Sequence, residues 1–146
     1  MNFEGESKFC FFSNLAGLFV IGTSNGKAFT PSTEMNPVQV LQEEISYMIS
    51  LLSSNKILMA SKSCGNMVLV NRNQDNLFVD QCLSKHFDSI DGLKVSSDET
   101  LIVAWSSSSS DVCIWSKNNA WSKTVCHLKF LTFHHVFEPI YISVQN

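Results

Sequence analysis

The residue types that bind metals or act as nucleophiles come closest together near the end of the sequence, where Cys126 and His127 precede His134 and His135. Thiolate and imidazole groups are the ligands that zinc prefers. Adjacent residues of a strand point to opposite faces, so Cys126 and His127 could not bind one ion together. We therefore expect no metal site, and we expect these histidines to be structural.

The rest of the sequence does not indicate catalytic chemistry. A cysteine nucleophile needs an activating base, and no family signature surrounds any of the five cysteines. Asn25-Gly26 is typical of a turn, and the phosphate-loop pattern G-x-x-x-x-G-K-[ST] does not occur in the sequence. We expect no catalytic residue, no cofactor and no enzymatic activity.

The composition is that of a folded domain. Of the 146 residues, 45% are hydrophobic and 16% are charged, and the net charge is −3. No two Lys or Arg residues are adjacent, so the basic patch that binds nucleic acid is not expected. The apolar runs are shorter than the ~18 residues of a membrane span, so no membrane association is expected either.

The cysteines favour a reducing compartment, the cytoplasm or the nucleus. They are dispersed, odd in number and form no C-x-x-C pair, so neither a disulfide framework nor a zinc ribbon is predicted. Most of them are expected to be small buried apolar groups. The N-terminus carries acids and no long apolar core, so it does not resemble a signal peptide.

The segment from 90 to 115 predicts three short strands joined by two polar turns. Residues 101–105 form a continuous apolar run, which is typical of a strand buried on both faces. Residues 96–99 precede this run and five serines, 106–110, follow it, and short polar side chains of this kind favour turns. Residues 112–115 form the third strand, so the serines are predicted to be a hairpin loop.

The same order of strands and turns recurs twice upstream. Ala60 corresponds to Trp105 and Gly65 to Ser110, both 45 positions apart, and Gly26 corresponds to Gly65 at 39 positions. Both glycines lie in the tight loop between the second and third strands of a unit, where a positive φ is expected. The predicted organisation is one repeat domain, 1–146, with units at about 8–44, 45–86 and 87–133 and the start of a further unit at 134–146.

The third unit carries the most specific motif residues. These are Lys85-His86 before its first strand, Ser96-x-Asp98 in its first turn, and Ile114-Trp115 at the end of its third strand. A period near ~40–45 residues with several strands per unit is typical of propeller blades. With these residues in these places, the chain resembles the WD-repeat family, whose Gly-His pair, turn and hydrophobic-Trp pair they match.

The resemblance is divergent and incomplete. Ser116 stands where the family has the Asp of its Trp-Asp pair. Val70-Asn71 and Pro31-Ser32 replace that pair in the other two units. The turn Asp that the family hydrogen-bonds to its His is replaced by Ser109, unless Asp111 takes its place.

The resemblance implies an all-β partial propeller of about three four-stranded blades and a non-enzymatic protein–protein interaction scaffold. The structural motif residues would be His86, Asp98, Trp115, Gly26, Gly65 and His135. A ring has about 4–8 blades, so the chain is expected to be a fragment or short isoform of a larger WD-repeat protein. Its partners would be other proteins, with self-association through open blade edges, where Leu18, Val20, Ile140, Ile142 and Val144 would be exposed.

A second fold remains open, with helices near 37–53 and 78–90. Asn36 could cap the first helix, and Pro37 suits the first helical position. An apolar stripe at helical spacing follows, made of Val38, Leu41, Ile45, Met48 and Leu52. This interpretation gives a small α+β adaptor or dimerisation domain. We favour strands because the helical interpretation leaves the repeat unexplained.

Overall fold

The computed structural model describes residues 11–15, 18–31, 37–73, 76–83, 89–109, 111–118 and 120–127. The strands in these ranges are β1 (Phe11–Leu15), β2 (Leu18–Gly22), β3 (Lys27–Phe29), β4 (Val38–Gln39), β5 (Tyr47–Leu51), β6 (Lys56–Ala60), β7 (Met67–Asn73), β8 (Asn76–Leu83), β9 (Gly92–Val95), β10 (Leu101–Ser106), β11 (Asp111–Lys117) and β12 (Trp121–His127). The described residues contain no α-helix. Nowhere in these ranges is there a helix long and apolar enough to cross a membrane.

The strands form three antiparallel sheets, each a meander of four consecutive strands. Their orders are β1-β2-β3-β4, β5-β6-β7-β8 and β9-β10-β11-β12. The predicted serine hairpin joins β10 to β11, with Trp105 opposite Val112 and Ser106 opposite Asp111. The expected all-β class is confirmed.

The middle sheet is buried on both faces, which explains the continuous apolar run of β6. One apolar cluster joins it to the first sheet and includes Val20, Ala28, Ile45, Ile57, Met59, Val68 and Val70. A second cluster joins it to the third sheet and includes Leu58, Ala60, Met67, Leu69, Leu93, Ile102, Ala104, Cys113 and Trp115. Successive residues of β6 therefore enter different clusters, as the period of two along a strand requires.

The helical alternative is wrong. Residues 37–53 contain β4 and β5, with non-helical connections around them, and residues 78–83 belong to β8; residues 84–88 lie outside the described ranges. The apolar stripe does not lie on one buried face, since Ile45 is fully buried whereas Leu52 is 68% exposed. Packing of β5 between two neighbouring sheets overrides the local helical spacing.

Candidate functional site

The connections at one end of the three sheets form a polar rim, which we call the loop edge. It comprises the loops 23–26, 61–66 and 107–109 and the segments 40–46 and 89–91 that lead into β5 and β9. Backbone hydrogen bonds hold the leading segments against the strands and loops; the N–H of Asp91, for example, donates to the C=O of Trp105 at 2.9 Å. The loop edge is therefore a surface of short polar side chains whose backbone is held in place by hydrogen bonds.

The serine loop of the third sheet is organised around Asp91. Its Oδ2 accepts hydrogen bonds from the backbone N–H of Ser107 at 2.6 Å and from the Ser107 hydroxyl. The hydrogen bonds from Ser107, with a smaller Coulombic contribution from Lys62, lower the pKa of Asp91 below its ordinary value. The hydroxyl oxygens of Ser106 and Ser108 lie 2.8 Å apart. Asp91 thus fixes the shape of the loop.

The middle sheet repeats these hydrogen bonds 45 positions earlier. The backbone N–H of Lys62 donates to the Ser46 hydroxyl at 3.0 Å, as Ser107 does to Asp91. The hydroxyl oxygens of Ser61 and Ser63 lie 3.2 Å apart, at the positions that match Ser106 and Ser108. The repeat found in the sequence is therefore present in the hydrogen bonds of the loop edge.

Neighbouring sheets are tied together by a hydrogen bond that also recurs. The N–H of Ile45 donates to the C=O of Thr23 at 3.2 Å, and the N–H of Ile90 donates to the C=O of Lys62 at 2.8 Å. The Tyr47 hydroxyl donates to the C=O of Ile90 at 3.2 Å. Burial first, and the charge of Asp91 second, raise the pKa of this phenol. Each loop thus fixes the entry of the chain into the next sheet.

Gly26 and Gly65 occupy the loops as the sequence predicts, with φ of 76° and 68°. The C=O of Gly26 accepts the N–H groups of Val40 and Leu41 at 2.9 and 3.1 Å. A Cβ at Gly26 would come within 2.1 Å of the carbonyl oxygen of Leu41. The first loop therefore needs glycine at this position, because a side chain would disfavour the positive φ and would collide with the carbonyl oxygen of Leu41.

The Ser96-x-Asp98 motif lies at the opposite end of the third sheet, in the β9–β10 turn. Asp98 Oδ1 accepts the Ser96 hydroxyl at 2.5 Å and the N–H of Thr100 at 3.1 Å. Asp98 Oδ2 accepts the Thr100 hydroxyl at 2.8 Å. The hydrogen bond from Ser96 is the largest cause of a lowered pKa for Asp98, followed by those from Thr100. Asp98 therefore closes the turn.

The next residue, Glu99, connects this turn to the middle sheet. Its carboxylate accepts the backbone N–H of Ser53 at 3.1 and 3.2 Å, and it also accepts the Ser53 hydroxyl. Desolvation alone would raise the pKa of Glu99, but the hydrogen bonds from Ser53 oppose it and the pKa is lowered. Glu99 makes this contact with a positive φ of 57°, which is uncommon for a residue with a side chain.

Trp115 is fully buried between the third and middle sheets, in the same cluster as Cys113. Lys123 Nζ lies 5.7 Å from the centroid of its ring. The other two motif residues, His86 and His135, lie outside the described residues. The structure therefore places Trp115 in the core, Asp98 at one end of the sheets, and Gly26 and Gly65 at the other.

The described residues contain no cluster of three or more His, Cys, Asp or Glu that could hold a metal ion. His134, His135 and the side chains of Cys126 and His127 are outside them. Cys64, Cys82 and Cys113 are not in disulfides, but only Cys113 is buried, so the expected burial of most cysteines does not hold for these three. Cys82 is exposed because its strand is the outer edge of the middle sheet.

Comparison with known proteins identifies the fold but not the family. No family model matches the chain, and no curated protein matches it. Among solved structures it is similar to the β-propeller domain of Cps50 (Swd1) from Myceliophteria thermophila, with a TM-score of 0.62 and 12% sequence identity. The similarity covers 80% of this chain and 42% of that chain. The fold is that of a partial β-propeller. Each four-stranded sheet is one blade, whereas the assignment to WD repeats stays a prediction.

Several residues that shape the two ends of the propeller blades were not found by sequence reasoning. Asp91 and Ser46 are the main examples, and their 45-position spacing was a signal that could have identified them. Glu99 carried no comparable signal, because its partner Ser53 belongs to a different blade. Contacts between blades depend on how the sheets pack, and a single sequence does not contain that information directly.

Proposed function

We propose that this chain is a non-enzymatic protein–protein interaction scaffold of the WD-repeat type, with repeat units at about 8–44, 45–86 and 87–133 and a further one from 134. One observation supports it above the others: the recurring hydrogen bonds of the loop edge. They hold short polar side chains in fixed loops across adjacent blades. Rigid scaffolds that present loops are a common basis for protein binding.

The chemistry of the loop edge favours binding over catalysis. The Asp91 carboxylate accepts two hydrogen bonds from Ser107 and has a lowered pKa, which suits a structural anion and not a general base. Lys62 and Ser63 are exposed on the adjacent loop and are available for contacts with another protein. Partners would be proteins, and the cysteines that are not in disulfides support residence in the cytoplasm or nucleus.

Site-specific photo-cross-linking in cells tests this function. A photoreactive amino acid at Ser63, exposed on the loop edge, is expected to cross-link to partner proteins. The matched control is Ser97, which is also exposed, in a turn at the opposite end of the blades. Discrete adducts from position 63 that are absent from position 97 would support the loop edge as the binding surface. Equal labelling from both positions, or none from either, would contradict it.

A further inference from the structure

The joint between the middle and third blades is held by different chemistry at its two ends. At the loop edge the N–H of Ile90 donates to the C=O of Lys62 at 2.8 Å, and the Tyr47 hydroxyl donates to the C=O of Ile90 at 3.2 Å. At the opposite end, where the turns 52–55 and 96–100 meet and which we call the turn end, the Glu99 carboxylate accepts the N–H and the hydroxyl of Ser53. The contact at the turn end, unlike those at the loop edge, therefore depends on an ionised group.

Glu99 reaches the middle blade from a backbone conformation that disfavours glutamate. Its φ of 57° lies in the left-handed region, which residues with a Cβ rarely adopt. Asn55 lies 44 positions earlier in the matching turn of the middle blade and has a φ of 54°, but asparagine is one of the residue types that tolerate this region. Backbone strain of this kind persists where contacts of the residue offset it. The strain at Glu99 therefore points to a role for its side chain.

The surroundings of Glu99 favour its ionised form. Desolvation, the largest single effect, raises the pKa of this carboxyl group. Hydrogen bonds from Ser53 and Leu52 and the charge of Lys117 on β11 oppose desolvation and together lower the pKa below its ordinary value. At neutral pH the joint is therefore closed at the turn end by a charged acceptor.

The other charged residues of the two hairpins are engaged elsewhere. Lys56, in the β5–β6 hairpin, pairs with Asp80 at 2.7 Å. In the β9–β10 hairpin, Lys94 lies on the face of β9 that points away from the middle blade, and Asp98 accepts its hydrogen bonds from residues of its own turn. Within these two hairpins, protonation in the acid range therefore acts on the joint through Glu99.

We propose that Glu99 is a proton-sensitive latch between the middle and third blades. The ionised carboxylate closes the turn end of the joint, and the protonated carboxyl group releases that end while the loop edge stays closed. Protonation removes the charge that strengthens the hydrogen bonds, and it turns one acceptor oxygen into a donor that faces other donors. The inference rests on the fold and not on the proposed scaffold role, so either can fail without the other.

An NMR titration of chain 1–146 tests the latch, with one amide as the reporter for each carboxylate. The amide of Ser53 reports on Glu99, and the amide of Thr100 reports on Asp98. Because the pKa of Glu99 is lower in the folded than in the unfolded state, the latch is lost as the pH falls below about 5 and on through the folded pKa. We expect the Ser53 amide to titrate in the parent and in Asp98→Asn and to stay constant in Glu99→Gln. The Thr100 amide should titrate in Glu99→Gln and stay constant in Asp98→Asn.

Amide hydrogen exchange at pH 7 shows which end of the joint opens. We expect Glu99→Gln to reduce the protection of the Ser53 amide by about three- to tenfold, the range for an exposed hydrogen bond to a charged group. The Ile90 amide, which donates to Lys62 across the joint at the loop edge, should keep the protection of the parent. Ser54→Ala is the matched control, because Ser54 follows Ser53 in the same turn, and it should leave both amides as in the parent.

Three outcomes would overturn the proposal. One is a Ser53 amide that does not titrate in the parent, and another is one that titrates equally in Glu99→Gln. The third is a loss of protection at Ile90 together with Ser53, because the whole joint would then loosen and not one end of it. The titration of the parent needs no substitution, so it tests the latch even where a variant does not fold.

Discussion

At the scale of single residues, the packing of the third blade depends strongly on Trp115. It is fully buried against the middle blade, in the same cluster as Ile102 and Cys113. Replacing a buried Trp by Ala leaves a cavity and costs about 3–5 kcal/mol. We expect Trp115→Ala to lower the free energy of unfolding by about this amount, measured by urea denaturation.

Phe78→Ala is the matched control for this substitution, because Phe78 is 42% exposed on the outer strand of the middle blade. We expect it to change the free energy of unfolding by less than about 1 kcal/mol. Equal losses for the two variants would show that Trp115 is not a core residue in solution.

Gly26 supports a second prediction at this scale. A side chain there would meet the carbonyl of Leu41 and would also require a positive φ. We expect Gly26→Ala to destabilise the fold by more than about 2 kcal/mol, since a positive φ alone costs roughly 1–2 kcal/mol for a residue with a Cβ. Gly65→Ala is the comparison, because Gly65 also has a positive φ and shows what that conformation alone costs. Differential scanning calorimetry measures the stability of both variants. A Gly26→Ala variant as stable as the parent would contradict the crowded loop.

At the scale of elements, the β9–β10 turn makes stability depend on pH through Asp98. Its pKa is lowered below its ordinary value, chiefly by the hydrogen bond from Ser96. A carboxylate whose pKa is lower in the folded than in the unfolded state stabilises the fold at pH values above its unfolded pKa. This contribution is lost as the pH falls through the folded pKa. We therefore expect the parent to lose stability to urea as the pH falls below about 5 and on through the folded pKa of Asp98, with Asp98→Asn losing less over that interval.

Ser97→Ala is the control for the turn, because Ser97 is exposed beside Asp98 and the change removes no carboxylate. It should keep the pH dependence of the parent. If Asp98→Asn also kept the full pH dependence, the hydrogen bonds of Asp98 would not be formed in solution.

Most of the strands could be predicted from the sequence because alternation and turn chemistry are local properties. The same local rules gave the positive φ at Gly26 and Gly65. They failed for the first blade, where Val20 was expected to be exposed and is fully buried against the middle blade. A one-residue shift reverses the two faces of a strand, and Phe19 takes the exposed position instead. The side chain of Leu18 lies outside the described residues, as do Ile140, Ile142 and Val144.

At the scale of the whole molecule, the three blades differ in how much of their surface is buried. Both faces of the middle blade are covered by neighbouring blades, and every residue of the β6 segment 57–60 is fully buried. The first and third blades are each covered by a described sheet on one face only. Stability should therefore fall from the middle blade to the outer two, as it does in repeat proteins whose units contact only their neighbours.

Amide hydrogen exchange can measure this gradient directly. We expect the amides of β6 and β7 to exchange most slowly, because opening the middle blade breaks two apolar interfaces, whereas opening β2 or β11 breaks one.

Leu58→Ala, in the interface with the third blade, should accelerate exchange in β10 and β11 more than in β2. Met59→Ala is the reciprocal control, because Met59 packs toward the first blade and should affect β2 more. Uniform exchange across the three blades would show that they unfold as one cooperative unit and would contradict the gradient. Acceleration of all strands alike by both substitutions would contradict the separate interfaces.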